Sequence, residues 1–284
     1  MSAATAPHGV VVGADGSPSS LAAVRWAGEE ARLRHVPLTI VHVVSDAGAG
    51  EEPGGEAAQV LAEAVSVGRA AVGGDTGTVV ETRQMHGKPV PELVDVSAAA
   101  QMVVVGSHGR TGRRDRAVGS IGVGLLHHAR CPVAIVHDDV PPKAGPGRRP
   151  ILVGIDGSRT SMSAAAIAFD EASRRAADLL ALHVCKDADT PAAHDPQSST
   201  LEREAEDFLR ETLSDLQQRY PEVAVHLLVR FANPSRQLLI QAERAELVVL
   251  GSHGRGALAG KLLGSVSTAV AEGSRIPVIV ARRT

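Results

Sequence analysis

The sequence predicts an α/β protein built as a tandem repeat of two doubly wound domains, each with a five-stranded parallel sheet. Three observations carry this expectation. The first is an internal repeat: VVVGADGS at Val10 to Ser17 returns as ILVGIDGS at Ile151 to Ser158, with Asp15 and Asp156 141 positions apart. The second is a set of short apolar runs that are continuous rather than alternating, as expected where both faces of a parallel sheet are covered. The third is helical signalling in the segments between those runs.

In the first copy, strands are expected near Val10 to Gly13, Leu38 to Val44, Val79 to Met85, Met102 to Val105 and Val133 to Val136, with helices between them. Ser17 followed by Pro18 marks the start of the first helix as an N-cap with proline in the first turn, and Ser158 stands at the corresponding place in the second copy. Later in that copy Leu201, Ala205, Phe208, Leu209, Leu213 and Leu216 recur at helical spacing behind Ser199-x-x-Glu202, which reads as a capping box. The pairs Pro89 and Pro234, Gly106 and Gly251, Gly119 and Gly264, and Pro132 and Pro277 are each separated by 145 positions, so the second copy carries four extra residues between His183 and Pro234. The polar stretch KDADTPAAHDPQSST is their expected location. Between the copies runs the Pro/Gly-rich segment DDVPPKAGPGRRP, which sets domains at 1–138 and 151–284 with a linker at 139–150.

Composition limits the functions available. A chain of 284 residues with 44% hydrophobic content fills two ordinary domains, and a formal net charge of -3 does not advertise a nucleic-acid or membrane-surface partner. MSAATAPHGVVVG lacks a basic stretch followed by an apolar one, and no window reaches the roughly 18 apolar residues of a spanning helix. A cytoplasmic protein is expected. Cys131 and Cys185 occupy non-equivalent places in apolar runs, which suits reduced, buried thiols rather than a disulfide.

In open sheets of this kind ligands bind beyond the carboxyl ends of the strands, where the strand order reverses. Two such ends stand out in each copy. After strand one comes Ala14-Asp15 or Ile155-Asp156, each followed by Gly-Ser. After strand four come GSHGRTGRRDRAVGS and GSHGRGALAGKLLGS, with Gly106, Gly109, Gly119 and Ser120 in the first copy matching Gly251, Gly254, Gly264 and Ser265 in the second. Glycine admits φ > 0 and lets a ligand reach the backbone, and the amides beside it, with those opening the next helix, can surround an anion. One such match at a given start arises by chance on the order of 10^-4 of the time, so two in register are hard to dismiss. The alternative is that these glycines only make tight turns.

VGADGS and VGIDGS, the pairs His42-Val43 and His183-Val184, and GSHG running on to GS, all in tandem, resemble a two-domain universal stress protein of the ATP-binding type. The resemblance covers nearly the whole chain and implies a Rossmann-like, adenine nucleotide alpha hydrolase-like fold. It implies that Asp15 and Asp156 line nucleotide pockets beside Ala14 and Ile155. Val43 and Val184 would lie beside adenine through their backbone. Gly106, Gly109, Gly119, Ser120 and Ile121 would hold ribose and phosphates in one site, and Gly251, Gly254, Gly264, Ser265 and Val266 in the other. ATP, one per domain and with or without magnesium, is the implied ligand, and the last strands VAIVH and VIVAR are implied pairing surfaces within one chain or in a homodimer.

The first copy departs from the pattern. Arg113, Arg114 and Arg116 stand where the second copy is small and apolar, and they suit either a grip on the triphosphate or a solvated loop partly neutralised by Asp115. Gly122 and Gly124 fall inside the next helix, where each costs about 1 kcal/mol relative to alanine, which predicts a looser first site. Gly260-Lys261-Leu262 is not a P-loop, because the following Ser/Thr is missing. His127, His128 and Cys131 diverge around a helix and are not expected to hold zinc. His42 and His183 are expected as hydrogen-bonded core residues, and His108 and His253 either approach phosphate or brace the turn. No nucleophile with a repeated base is evident, so no catalytic residue is expected. The resemblance therefore implies a nucleotide-dependent regulator of stress response or growth arrest, with a slow magnesium-dependent ATPase or phosphotransferase as the alternative.

Overall fold

The computed structural model describes residues 8–45, 55–74, 77–110, 118–138, 148–185, 196–254 and 263–282. The chain divides in two around residue 139. The arginine-rich loop of the first copy, Lys261-Leu262 and most of the linker lie outside the described residues, as does most of the polar stretch of the second copy.

The first half runs β1 (Val10–Gly13), α1 (Pro18–Arg34), β2 (Leu38–Val44), α2 (Gly55–Val72), β3 (Val80–His86), α3 (Pro89–Ser97), β4 (Met102–Gly106), α4 (Ser120–His128), β5 (Val133–Val136). The second runs β6 (Ile151–Gly154), α5 (Arg159–Arg175), β7 (Leu179–Cys185), α6 (Pro196–Arg219), β8 (Val225–Phe231), α7 (Pro234–Ala242), β9 (Leu247–Gly251), α8 (Ser265–Gly273), β10 (Val278–Ala281). Strands lie in the order β3-β2-β1-β4-β5 in one half and β8-β7-β6-β9-β10 in the other, all parallel within each half. In the first half the order reverses between β1 and β4, and in the second between β6 and β9. These are the places where ligands collect on doubly wound sheets.

The expected strands are present with small shifts. β3 starts and ends one residue later than expected, and β4 takes in Gly106. The apolar rule holds for β1, β4 and β5, which are buried along nearly their whole length. It fails for β3, which lies at the sheet edge with Glu81, Thr82, Arg83 and Gln84 exposed. An edge strand made of charged and polar side chains resists pairing with other chains.

Helix starts follow the sequence. Ser17 Oγ accepts the Ser20 amide and Ser158 Oγ accepts the Ser161 amide, so both serines are N-caps as expected. Ser199 does not stand at a helix start as expected, because α6 begins at Pro196 and Ser199 falls inside it. The expected apolar face is real, with Ala205, Leu209 and Leu213 buried. Their counterparts on α2 are the buried Val60, Ala64 and Gly68, each 145 positions earlier, which sets the four extra residues before this part of α6.

Packing explains several glycines. A Cβ on Gly28 would stand 2.8 Å from that of Ala71 and 3.1 Å from the Gly68 carbonyl, so α1 and α2 meet nearly backbone to backbone. The second half places the fully buried Phe169 where Gly28 stands and Leu213 where Gly68 stands, filling the same interface with bulk. Gly122 and Gly124 are likewise packing positions: their Cβ atoms would strike Val118 at 2.4 Å and Val90 at 2.7 Å. Helix α4 runs through both without a break, and close approach of Val118 and Val90 is a packing reason for glycine at each.

No disulfide joins Cys131 and Cys185; Cys131 is buried as expected, but Cys185 is only half-buried. No helix among the described residues is long and apolar enough to cross a membrane.

Candidate functional site

The site is built at the carboxyl ends of β1 and β4, and again at β6 and β9. Beyond β1 the chain turns at once. Gly16 and Gly157 adopt φ of 80° and 79°, a left-handed conformation that glycine tolerates, and this turn folds each aspartate back over the helix that follows. Asp15 Oδ1 accepts the Ser17 amide at 3.0 Å and the Ser17 hydroxyl at 2.6 Å, while Oδ2 accepts the Arg110 amide at 3.1 Å. Asp156 Oδ1 accepts the Ser158 amide at 2.9 Å. Burial pushes the Asp15 carboxyl up, but the hydrogen bonds from Ser17, Ser20 and Arg110 outweigh it and leave the group below its ordinary range. It is an ionised carboxylate that ties the first loop to the glycine loop.

The glycines of the second loop divide by role. Contrary to expectation, none of the six has positive φ. Gly106 and Gly251 face the adjoining helix, where a Cβ would come 2.6 Å from the Ser19 carbonyl carbon and 2.7 Å from that of Thr160. Gly109 and Gly254 face the aspartates, at 2.9 Å and 2.7 Å from Asp15 Oδ2 and Asp156 Oδ2. Gly119 is different. Its φ of -61° suits any residue, and among the described residues the nearest atom to a Cβ is the Ser107 carbonyl oxygen at 3.5 Å. Gly264 repeats it with φ of -78° and 3.3 Å to the Ser252 carbonyl oxygen. Among the described residues little demands glycine at Gly119, and its missing side chain leaves room beside the helix start.

Like α3, and unlike α1, α5 and α7, helices α4 and α8 have no side-chain cap among the described residues. The first amides of a helix lack intrahelical partners, so those of Ser120 and Ile121, and of Ser265 and Val266, are positioned to meet an anion at the positive end of the helix dipole. Ser120 and Ser265 are exposed. The Gly119 and Gly264 amides do not take part, because each donates to a carbonyl within its own loop, Ser107 or Ser252, at 2.7 Å.

Val43 and Val184 enter through strand geometry. The Ala14 amide donates to the Val41 carbonyl at 2.9 Å, which fixes the main-chain groups of Val41 on the β1 side of β2. Main-chain groups of a strand alternate sides, so those of Val43 point the same way, and by then β1 has ended. The Ile155 amide and Leu182 carbonyl, also at 2.9 Å, leave Val184 in the same position. Each site thus has an edge-on donor and acceptor pair beside the switch point. The buried Ala14 and Ile155 offer their carbonyls to His42 and His183, at 2.7 Å from Nδ1 in both. A carbonyl can only accept, so Nδ1 carries the proton. Both histidines are hydrogen-bonded as expected, though half-buried rather than core.

His108 and His253 brace the turn. Nδ1 of each lies beside the preceding serine hydroxyl, at 2.8 Å from Ser107 Oγ and 3.0 Å from Ser252 Oγ. The His253 carbonyl accepts from Thr160 Oγ1 at 2.5 Å, and the His108 amide donates to Ser19 Oγ at 3.3 Å. Among the described residues no group of three or more His, Cys, Asp or Glu comes together. Arg113, Arg114, Asp115 and Arg116 lie outside the described residues.

Sequence reasoning missed Arg110 and Glu56. Arg110 follows Gly109 directly, and its guanidinium pairs with Glu56 in the first turn of α2, both side chains being about half exposed. The signal was available in the GSHGR run, but nothing in the sequence placed the start of α2 against it.

Two parallel sheets, each with a helix N-terminus and a hydrogen-bonded aspartate at its switch point, define a tandem pair of doubly wound α/β domains. The model of the universal stress protein family matches residues 8–137 and again 147–282, and the chain belongs to that family. It is similar to the universal stress protein Rv2005c of Mycobacterium tuberculosis, at 43% identity over 288 residues and 98% of both chains. Rv2623 of the same organism is also 43% identical, over 299 residues, covering 100% of this chain and 99% of the relative. Among solved structures, a universal stress protein from Archaeoglobus fulgidus superposes with a TM-score of 0.72 at 22% identity, covering 98% of this chain and 99% of that one, a likeness of fold.

Proposed function

We propose that each half binds one ATP and that the protein acts as a nucleotide-dependent regulator in stress response or growth arrest. The observation that carries the reading is the uncapped start of α4 and α8 behind a glycine, Gly119 or Gly264, whose backbone angles any residue could adopt. Phosphate oxygens are acceptors without protons to offer, and they match the amides of Ser120, Ile121, Ser265 and Val266. The open main-chain pair of Val43 or Val184 suits the donor and acceptor edge of adenine. Asp15 and Asp156 border the ribose position from the turn after the first strand. Magnesium enters with the nucleotide in this reading, since both oxygens of Asp15 already accept hydrogen bonds.

Domains at 1–138 and 151–284 belong to the same reading, as does self-association through the last strands, which sedimentation of the intact chain tests. Mass spectrometry of small molecules released from freshly purified, denatured protein tests the ligand: about one ATP per half supports the reading, and a chain that neither retains nor takes up ATP overturns it. Following ADP with magnesium present separates regulator from enzyme. Stoichiometric retention is expected; repeated turnover lost in Asp156→Ala would establish the ATPase alternative.

A further inference from the structure

We infer that Arg110 is a phosphate-reading residue held in reserve by Glu56, and that this makes the first nucleotide site respond to phosphate number differently from the second. The inference rests on the nucleotide reading above and concerns the regulation of that site.

Arg110 is the residue after Gly109, and the Gly109 amide lies 3.9 Å from the position of a Cβ on Gly119, so its backbone runs alongside the cradle. Its amide is fixed by Asp15 at 3.1 Å, which anchors the residue at the mouth while leaving the side chain to swing. The guanidinium pairs with Glu56. That carboxylate sits one turn before Val60, which packs 3.1 Å from the Cβ position of Gly16, the residue after Asp15. The pair therefore spans the rim from the glycine loop to α2.

An exposed pair of this kind contributes little, and exchanging it for a phosphate costs correspondingly little. Phosphate is the better partner, since guanidinium matches its oxygens in bidentate geometry. Glu56 loses less than its partner would suggest, because it stands in the first turn of α2, where the helix dipole favours a carboxylate. A nucleotide with a long anionic tail draws Arg110 away from Glu56, and a monophosphate, whose charge stays at the α4 start, does not. Glu56 thus competes with the outer phosphates for one cation and repels them.

The second half differs in sequence at the acid. Its counterpart to Arg110 in the sequence is Arg255, 145 positions on, and the same offset relates the buried faces of α2 and α6. At that offset Glu56 corresponds to Leu201, a half-buried apolar residue. Both glycine loops carry the arginine, and at the position aligned with Glu56 the first half has an acid where the second has Leu201.

The test uses the full chain labelled with nitrogen-15, so that the Ser120 and Ser265 amides report each site separately in titrations with ATP and with AMP. Glu56→Leu, which installs the residue of the second half, is expected to tighten ATP at the Ser120 site about threefold while leaving AMP there and both ligands at the Ser265 site unchanged. Arg110→Gln is expected to weaken ATP at the first site about tenfold and to abolish the effect of Glu56→Leu in the double variant. Unchanged ATP affinity in Glu56→Leu, or an equal change for AMP, overturns the inference while leaving the nucleotide reading intact. Absence of any saturable shift with either ligand in the unaltered chain overturns both.

Discussion

Gly119→Ala separates the demands of the fold from those of the ligand. Its backbone, at φ of -61° and ψ of 162°, is open to any residue, and the added methyl meets the Ser107 carbonyl oxygen at 3.5 Å, an ordinary contact. Alanine is a poorer N-cap than glycine, whereas the substitution restricts the unfolded chain by about 0.4–1 kcal/mol, so the two effects nearly cancel. Stability is expected to change by less than about 1 kcal/mol. Binding is different, because the methyl stands beside the amides of Ser120 and Ile121, and displacing a phosphate from one charge-assisted hydrogen bond costs about 1.5–3 kcal/mol. That corresponds to roughly 10- to 150-fold in ATP affinity at the first site. Gly106→Ala is the control: its methyl would stand 2.6 Å from the Ser19 backbone, and overpacking of that kind costs about 1–3 kcal/mol of stability. Urea unfolding and calorimetric titration with ATP together give both quantities. The reasoning is refuted if Gly119→Ala binds ATP as the unaltered chain does, or if it loses affinity only in step with stability.

Other substitutions address neighbouring links. Ser17→Ala removes the cap of α1 and a donor to Asp15, and should cost about 1 kcal/mol in urea unfolding. Asp15 is held below the ordinary carboxylate range, so its contribution to stability is fully present above the unfolded value near 3.9 and is lost as pH falls through the lower folded value. The stability gap between the unaltered chain and Asp15→Asn should therefore be flat above about pH 5 and close only in acid; a gap that closes between pH 6 and 8 contradicts the assignment. His35 ends α1 at φ of 54°, and glycine relieves the left-handed strain there, so His35→Gly should stabilise by about 0.5 kcal/mol in thermal unfolding.

Much of this was legible in the sequence because repeated local chemistry leaves local marks. The serine caps, the inner strands and the tandem division follow from residue types at short range. The edge strand β3 was less clear, since its polar residues reflect its place in the sheet rather than its propensity. For the glycine loop, composition indicated that glycine mattered without saying why. Left-handed backbone was the natural guess, yet in the loops of the site the described glycines with positive φ are Gly16 and Gly157, and the glycines after β4 and β9 face a helix backbone, a carboxylate and an open space. The roles differ through contacts between residues about 90 positions apart, such as Gly106 with Ser19 and Gly109 with Asp15, which no local pattern encodes. The Arg110–Glu56 pair escaped for the same reason.

The central claim is that the bare helix starts at Ser120 and Ser265 receive the phosphates of a nucleotide. A crystal structure of the intact chain grown with ATP tests it most directly. The account predicts phosphate oxygens within about 3 Å of the Ser120 and Ile121 amides, and of the Ser265 and Val266 amides, with the adenine edge against the main chain of Val43 and Val184. Nucleotide bound away from these amides, or helix starts still bare at saturating ATP, would contradict it.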